Sequence, residues 1–443
     1  MREHPLRVLI VSLAAVITAA VVARLFFSVQ STDPQDQDRQ AISEAVSGSR
    51  APDLSSGKFN DQVATRPLST AATAPEDDRL LETLRTRLEK PNVAPHEALL
   101  SFLNPEALDR FVRQAASRGL VTLSVIPQLN TARVRYTTLE GLRDAMAANG
   151  AGYAGVEGNL WLQIPQPPPQ PDGNNQGGAA PFGQNMMSAI NASGDRTHWG
   201  DAVTVAVLDT GVQAHPTFAA NQVTHLDLIN DGQAFNSHGT SVASLIGGQD
   251  PQAPGVAPGA KILDIRIANA DGATVGSILA QGIITATDQG AQVINISFGA
   301  YGESAVLAQA LDYAFQRGAV VVASAGNDAY DQLAIPAAYD RVISVGSVDA
   351  KGQQAYFSNS GDGLDLVAPG VGVITAWKTD KIALVSGTSQ SSAIVAGAAA
   401  AYLGWGVSSG DLAARLKADA RPTGSPASQV GAGILKITAP AGR

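Results

Sequence analysis

Between residues 203 and 347, five short apolar runs are separated by longer segments with a helical repeat: VTVAVL (203–208), ILDIRI (262–267), QVINIS (292–297), AVVVAS (319–324) and VISVGS (342–347). The runs are rich in Val and Ile and alternate little with polar residues, so they suit strands buried on both faces. Ile278, Leu279 and Ile283 share one helical face. Val306, Leu307, Ala310, Leu311 and Ala314 share another, with Gly318 as its stop. Strands and helices alternating at this spacing demand an α/β fold with a doubly covered, mostly parallel sheet. Functional groups in such a sheet lie beyond the carboxyl ends of the strands, so the residues following each run are where chemistry is to be sought.

The chain ahead of this region is organised differently. Arg2 and Arg7 precede VLIVSLAAVITAAVVA (8–23), a run of about 16 apolar residues that, with Leu25–Val29 added, can span a bilayer. Asp33, Asp36 and Asp38 follow it, so the charge asymmetry puts the N-terminus in the cytoplasm and the bulk of the chain outside. Residues 1–30 therefore read as a membrane anchor, or as a signal peptide if the segment is cleaved and the protein secreted. No clean small-x-small site precedes the polar region, which favours the anchor. Residues 31–79 carry no apolar period and read as a flexible tether.

Residues 80–164 read as a small α+β unit. EALLSFL (97–103) suits a strand. Asn104 with Pro105 signals a helix start and Gly119 its stop, with Leu108, Phe111, Val112 and Ala115 on one face. VTLSVI (121–126) and ARVRY (132–136) suit a strand pair. Thr137 and Glu140 form a capping-box pattern for a second helix reaching about Ala148, and GNLWLQI (158–164) suits a last strand. This β-α-β-β-α-β order is ferredoxin-like, an order shared with RNA-binding domains. No basic, aromatic-rich strand for stacking bases is present, and the net charge of -9 also argues against a nucleic-acid partner. GAGYAG (150–155) matches the dinucleotide fingerprint letter for letter, but it follows a helix and precedes a strand, the reverse of the required context. PQPPPQPDGNNQGG (165–178) opens a linker over 165–185, extended in its first half and flexible in its second. The absence of cysteine excludes disulfides and thiolate metal sites.

Three short stretches in the remaining region, 186–443, carry residue types with chemical promise. VAVLDTGV (205–212) sets Asp209 at the end of a buried strand, NSHGTSVASLIGG (236–248) sets His238 just ahead of a helical run, and SGTSQSSAIVAG (386–397) sets Ser389 at a helix start. Each alone is ordinary: a turn Asp, a structural His, a cap-region Ser. Together they supply what acyl transfer needs, a hydroxyl nucleophile, an imidazole to take its proton and a carboxylate to hold that imidazole. Their order, Asp, His, Ser, is that of subtilisin.

The three stretches resemble the signatures of the subtilisin-like serine proteases (the subtilase family). GVAPGAKIL (255–263), INISFG (294–299), ASAGN (323–327), FSNSGDGLDLVAPG (357–370) and VGAGILKITA (430–439) extend the resemblance over roughly 186–443. It implies a serine endopeptidase with Asp209, His238 and Ser389 as catalytic groups. Asn327 and the Ser389 backbone amide would then bind the oxyanion. Ser297, Phe298 and Gly299 would bind polypeptide substrate as an added strand, with Ser324, Ala325 and Gly326 on the opposite side of the groove. Small residues on both edges imply a fairly open, apolar primary pocket that Phe298 or Ala334 would reshape. Three positions depart from the family pattern: Gln390 stands where Met is usual, Ala393 where Pro is usual, and Ser241 where a second His is usual.

The resemblance also gives the small unit a meaning, since such proteases often carry a ferredoxin-like propeptide that assists folding and then inhibits the site. Slow, non-local sheet topologies benefit from a template. A proline directly after the last strand is a poor cleavage position, so processing is expected between about Pro171 and Gln184, or the unit stays attached. Calcium is common in the family, yet no ligand cluster here supports it, and no other metal or cofactor is implied. Two other readings are a catalytically silent peptide-binding module on the same fold and a nucleotide-binding α/β protein. The missing phosphate loop opposes the second.

Overall fold

The structure, a computed structural model, describes residues 74–148, 152–166 and 178–440. The apolar segment 8–23, most of the 31–79 stretch and the middle of the linker lie outside the described residues.

The first element is helix α1 (Ala74–Leu88), which starts inside the stretch read as tether. Leu80, Leu81, Leu84 and Leu88 recur at helical spacing and bury one face, with Leu84 and Leu88 fully enclosed. That period begins late in the helix and is preceded by acidic residues, which masks its start. Strand β1 (Val93–Phe102), helix α2 (Pro105–Ala115), strands β2 (Val121–Ile126) and β3 (Thr131–Arg135), helix α3 (Leu139–Ala148) and strand β4 (Tyr153–Gln163) follow. Their antiparallel sheet has the order β2-β3-β1-β4 of a ferredoxin-like unit. Asn104 caps α2 by accepting from the Ala107 amide at 2.9 Å. The cap of α3 falls one residue later than the capping-box pattern suggests: Thr138 Oγ1, not Thr137, accepts from Gly141 N at 3.1 Å. Starting at Leu139 turns Leu139, Leu142, Ala145 and Met146 inward together, and that burial decides the register. Strand β4 begins at Tyr153, so the described part of the GAGYAG stretch is strand rather than a phosphate loop.

Strand β1 is buried on both faces along most of its length. Ala98, Leu100 and Phe102 join Phe111, Leu142 and Tyr153 under the unit's own helices. Leu99 faces the other way and joins Leu160 and Leu162 of β4 in the core of the larger part of the chain. The outer face of the small sheet is therefore an internal surface of the molecule.

The larger part is built on β5 (Thr204–Asp209), β6 (Val223–Asp227), helix α4 (Ser237–Gly247), β7 (Lys261–Arg266), β8 (Ala273–Val275), α5 (Gly276–Asp288), β9 (Val293–Ile296), α6 (Ala305–Gln316), β10 (Val320–Ser324), β11 (Ile343–Val348), β12 (Leu366–Pro369), the hairpin β13 (Val373–Trp377) and β14 (Lys381–Val385), α7 (Thr388–Gly404) and α8 (Ser409–Asp419). Seven strands pair in parallel in the order β12-β11-β10-β9-β5-β7-β6. The five apolar runs supply five of them, β5, β7, β9, β10 and β11. The other two, VTHLD and LVAP, are edge strands, one half-exposed and mixed with polar residues and the other only four residues long. Helix α7 is buried from Thr388 to Tyr402 and packs across the centre of the sheet beside α4. A methyl at Gly397 would come within 2.8 Å of Val256 Cβ, so only glycine lets α7 lie this close.

Candidate active site

The parallel sheet delivers Asp209 as the last residue of its central strand β5, fully buried. Two residues on, a backbone contact brings α4 alongside: a Cβ at Gly239 would sit 2.5 Å from the Gly211 carbonyl oxygen. Thr210 fastens the two pieces, its hydroxyl accepting from Gly239 N at 3.1 Å and donating to the Asn236 carbonyl at 3.0 Å. Asn236 caps α4 by accepting from His238 N at 2.9 Å, so His238 lies in the first turn of the helix rather than ahead of it. Its Nδ1 stands 2.9 Å from Asp209 Oδ1 and 3.0 Å from Oδ2. The Thr210 amide also donates to Oδ1 at 2.7 Å, which fixes the carboxylate from its other side.

Helix α7 brings the serine. Its N-cap is Gly387 at φ 155°, where a Cβ would lie 3.2 Å from Asn327 Nδ2 and crowd that group. Thr388 donates to Asn327 Oδ1 through both its amide (2.9 Å) and its hydroxyl (2.8 Å). The carboxamide is thereby turned so that its NH2 points into the groove. Ser389 is the second residue of the helix, so its N–H has no intrahelical acceptor and sits at the positive end of the helix dipole. Its Oγ is buried and, among the described residues, makes no hydrogen bond, to His238 or any other neighbour.

The groove is filled by the chain itself. Strand β4 pairs antiparallel with β8, matching Trp161, Leu162 and Gln163 to Val275, Thr274 and Ala273. Across the groove Gly299 N donates to Gln163 O at 3.0 Å, and Gln163 N donates to Gly299 O at 3.2 Å. Ile164 N donates to Gly272 O at 3.0 Å. The Pro165 carbonyl then accepts from Asn327 Nδ2 at 2.6 Å. The carbonyl held by Asn327 belongs to the Pro165–Gln166 bond, upstream of the Pro171–Gln184 stretch. The described end of that stretch is held elsewhere, with Ala180 on Asp349 and Ala350, and Phe182 and Gly183 on Val371 and Gly372.

The same strand reaches two helix N-termini. Glu157 accepts from Ser304 Oγ at 2.6 Å and from Ala305 N at 2.8 Å at the start of α6, and Asn159 Oδ1 accepts from Ser277 N at 3.0 Å at the start of α5. Residues 157 and 159 share a strand face, so one short segment satisfies orphan amides of both helices. Asn159 is aimed by Glu97, which accepts from Asn159 Nδ2 (2.9 Å) and from Arg133 Nε (2.8 Å).

Of the residues singled out by sequence, Asp209 and His238 are bonded to each other, Asn327 is bonded to Thr388 beside Ser389, and Gly299 pairs with Gln163 of the bound segment. Ser297 and Phe298 are buried behind that edge, with Ser297 Oγ 3.3 Å from Ser392 Oγ. Ser324, Ala325 and Gly326 lead into Asn327, whereas the second edge of the groove is Gly272–Val275, absent from the expected set. Two departures from the family pattern meet: Gln390 Nε2 points at Ser241 Oγ across a long 3.4 Å. Ala393 is wholly buried in α7. Sequence reasoning also missed Thr210, Thr388, Glu157 and Asn159. The two threonines are detectable only as neighbours of Asp209 and Ser389, and the other two carry no local signal. Among the described residues, no cluster of three or more acidic or histidine side chains could hold a metal ion.

A doubly covered parallel sheet with these groups at the carboxyl ends of its strands defines an α/β serine peptidase. The model of the Subtilase family matches residues 200–433, and the chain belongs to that family. It is similar to subtilisin BL of Lederbergia lenta, at 38% identity over half of this chain and 83% of the relative. It is equally similar to a thermophilic serine proteinase of Bacillus sp. (strain AK1), at 38% identity over 46% of this chain, but spans only 53% of that protein's length. Among solved structures, fervidolysin from Fervidobacterium pennivorans, a keratinolytic enzyme related to subtilisin, superposes with a TM-score of 0.65 at 25% identity, covering 78% of this chain and 60% of its own.

Proposed function

We propose that this chain is a serine endopeptidase that cuts polypeptides through an acyl-enzyme, made as a zymogen and working outside the cytoplasm. Asp209 holds His238 through Nδ1, which leaves Nε2 to take the proton of Ser389 Oγ as that oxygen attacks the substrate carbonyl. The imidazolium so formed, stabilised by the Asp209 carboxylate, gives the proton to the leaving nitrogen. Water repeats the sequence to release the acid product. The developing oxyanion is held by the Asn327 NH2 and the Ser389 amide, each such donor being worth on the order of 3 kcal/mol.

The observation that carries the reading is the 2.6 Å bond from Asn327 to the Pro165 carbonyl, which sets a backbone carbonyl beside the start of the serine helix. The N-terminal unit is then an intramolecular inhibitor that fills the groove as a strand, a role supported by its pairing with Gly299 and with β8. The apolar run 8–23 would tether the protein to the membrane, or be removed from a secreted form, which carbonate extraction of membranes separates.

A fluorophosphonate probe tests the activity. Labelling of the wild type but not of Ser389→Ala supports the enzyme. No labelling of either, including after limited digestion with a non-specific protease has opened the groove, would favour a silent peptide-binding module instead.

A further inference from the structure

We infer that the primary pocket of this groove is built for proline and that the enzyme cuts after Pro in an extended Leu-x-Ile-Pro context, beginning with its own Pro165–Gln166 bond. The inference rests on the hydrolase reading above and specifies its substrate class. In the bound segment the side chains that the groove encloses alternate: Leu162 and Ile164 are buried, while Trp161 and Gln163 are half-exposed. Main-chain bonds on both edges hold the register, so specificity falls to these alternate side chains and to Pro165.

The pocket that receives Pro165 is shallow, not the open one expected from its small residues. Its two walls, at Gly299–Ala300 and Ala325–Gly326, are tied together by residues 334–335. Ala334 N donates to Ala325 O at 2.9 Å, Ile335 N to Ala300 O at 2.9 Å, and Ala300 N back to Ile335 O at 3.3 Å. This sets the Ala334 methyl between the walls, 3.0 Å from where a Gly299 Cβ would be and 3.4 Å from where a Gly326 Cβ would be. Asn359 closes the Gly326 side, its Nδ2 2.3 Å from that same Gly326 position and fixed by Tyr301 Oη (2.7 Å) and the Gln332 carbonyl (3.0 Å). The pyrrolidine ring fits what remains, with Cγ 3.6 Å from the Gly299 Cβ position. A Phe or Leu side chain needs depth that Ala334 occupies. Proline lacks an N–H, and the last main-chain donor from the segment to the groove is Ile164 N, so the ring is held by its shape and by its carbonyl on Asn327.

In the self-cleavage, Ser389 Oγ bonds to the Pro165 carbonyl carbon, and the bond from that carbon to the Gln166 nitrogen breaks. That nitrogen leaves with the proton carried by His238, and water then cleaves the Ser389 ester.

The test uses the full chain. On incubation the wild type should release a fragment beginning at Gln166, and Ser389→Ala should not, as read by intact mass and N-terminal sequencing. The processed enzyme should cleave acetyl-Leu-Gln-Ile-Pro-p-nitroanilide with a kcat/KM about tenfold or more above the Phe analogue, the scale of discrimination a filled pocket gives. Ala334→Gly should erase or reverse that preference. Enzyme that takes the fluorophosphonate yet cuts the Phe or Leu peptide faster than the Pro peptide overturns the inference. A chain that stays intact and labels only after another protease opens the groove overturns it too, while leaving the hydrolase reading standing. Protein that never labels at Ser389 sinks both.

Discussion

Two histidine–carboxylate pairs draw their carboxylates from β5 and β7, neighbouring strands of the same sheet. His238 meets Asp209 at 2.9 Å and 3.0 Å at the end of β5. His225 of β6 meets Asp264 of β7 at 2.6 Å. In both the carboxylate is fully buried, and in both it also accepts a backbone amide, from Thr210 for Asp209 and from Val212 for Asp264. By distance the second pair looks the stronger, although His225 is the more exposed of the two histidines. What separates them is the far side of each imidazole. In the function proposed above Nε2 of His238 serves Ser389, whereas the ring of His225 lies against Phe235 at 5.0 Å. Phe235 in turn packs over Gly211, so the second pair braces the turn that follows Asp209 from behind. A carboxylate–imidazole pair becomes machinery through its third partner, not through its own geometry.

The harshest way to break that comparison is to remove the third partner. Ser389→Ala should lower kcat by about a million-fold, the scale found for triad removal in subtilisin itself. Steady-state hydrolysis of a peptide anilide measures it, and a loss under a hundredfold would mean that Ser389 is not the nucleophile. Next come the two carboxylates. Asp209→Asn should cost about ten thousand-fold by leaving His238 in the wrong tautomer. Asp264→Asn should act on thermal stability instead, and equal kinetic losses from the two would erase the distinction. Asn327→Ala should cost about a hundred- to a thousandfold in kcat with little change in KM, because its bond strengthens only as the oxyanion forms.

How far the sequence revealed this site depends on how local each signal is. Asp209, His238, Ser389 and Asn327 were legible because each sits in a stretch whose glycines and small residues are demanded by backbone contact, such as Gly239 against Gly211. The five central strands were legible because burial on both faces suppresses alternation. The second edge of the groove was not, since NADGATVG has neither an apolar period nor a charge pattern, and residues 272–275 pair only when β4 is present. Pro165 gave no signal for a related reason, since its place beside Asn327 is set by the pairing of the residues before it, ending at Ile164. The unassigned first helix and the misplaced Thr137 cap have one cause: burial of Leu84, Leu88, Leu139 and Leu142 sets those elements, and local patterns yield to it.

The smallest effect asks whether the second pair is a brace and nothing more. The hydrogen bond to Asp264 raises the His225 pKa above its ordinary 6.5; burial opposes the rise, while Asp227 adds to it and Arg266 subtracts from it. A histidine with a raised folded-state pKa contributes its full stabilisation below the ordinary value and loses it as pH rises through the raised one. The Tm gap between wild type and His225→Gln should therefore be widest in acid and close as the medium turns alkaline. It should be small throughout, because the His225 side chain is 37% exposed and solvent screens the pair. Over the same range kcat/KM should stay within about twofold, the scale of about 0.5 kcal/mol typical away from buried networks. Melting curves and peptide hydrolysis at matched pH values decide the matter. A Tm gap that ignores pH would mean His225 is not charged against Asp264. A tenfold fall in kcat/KM would show that the brace sets the position of Asp209 during turnover, and the two pairs would then have to be treated as one unit.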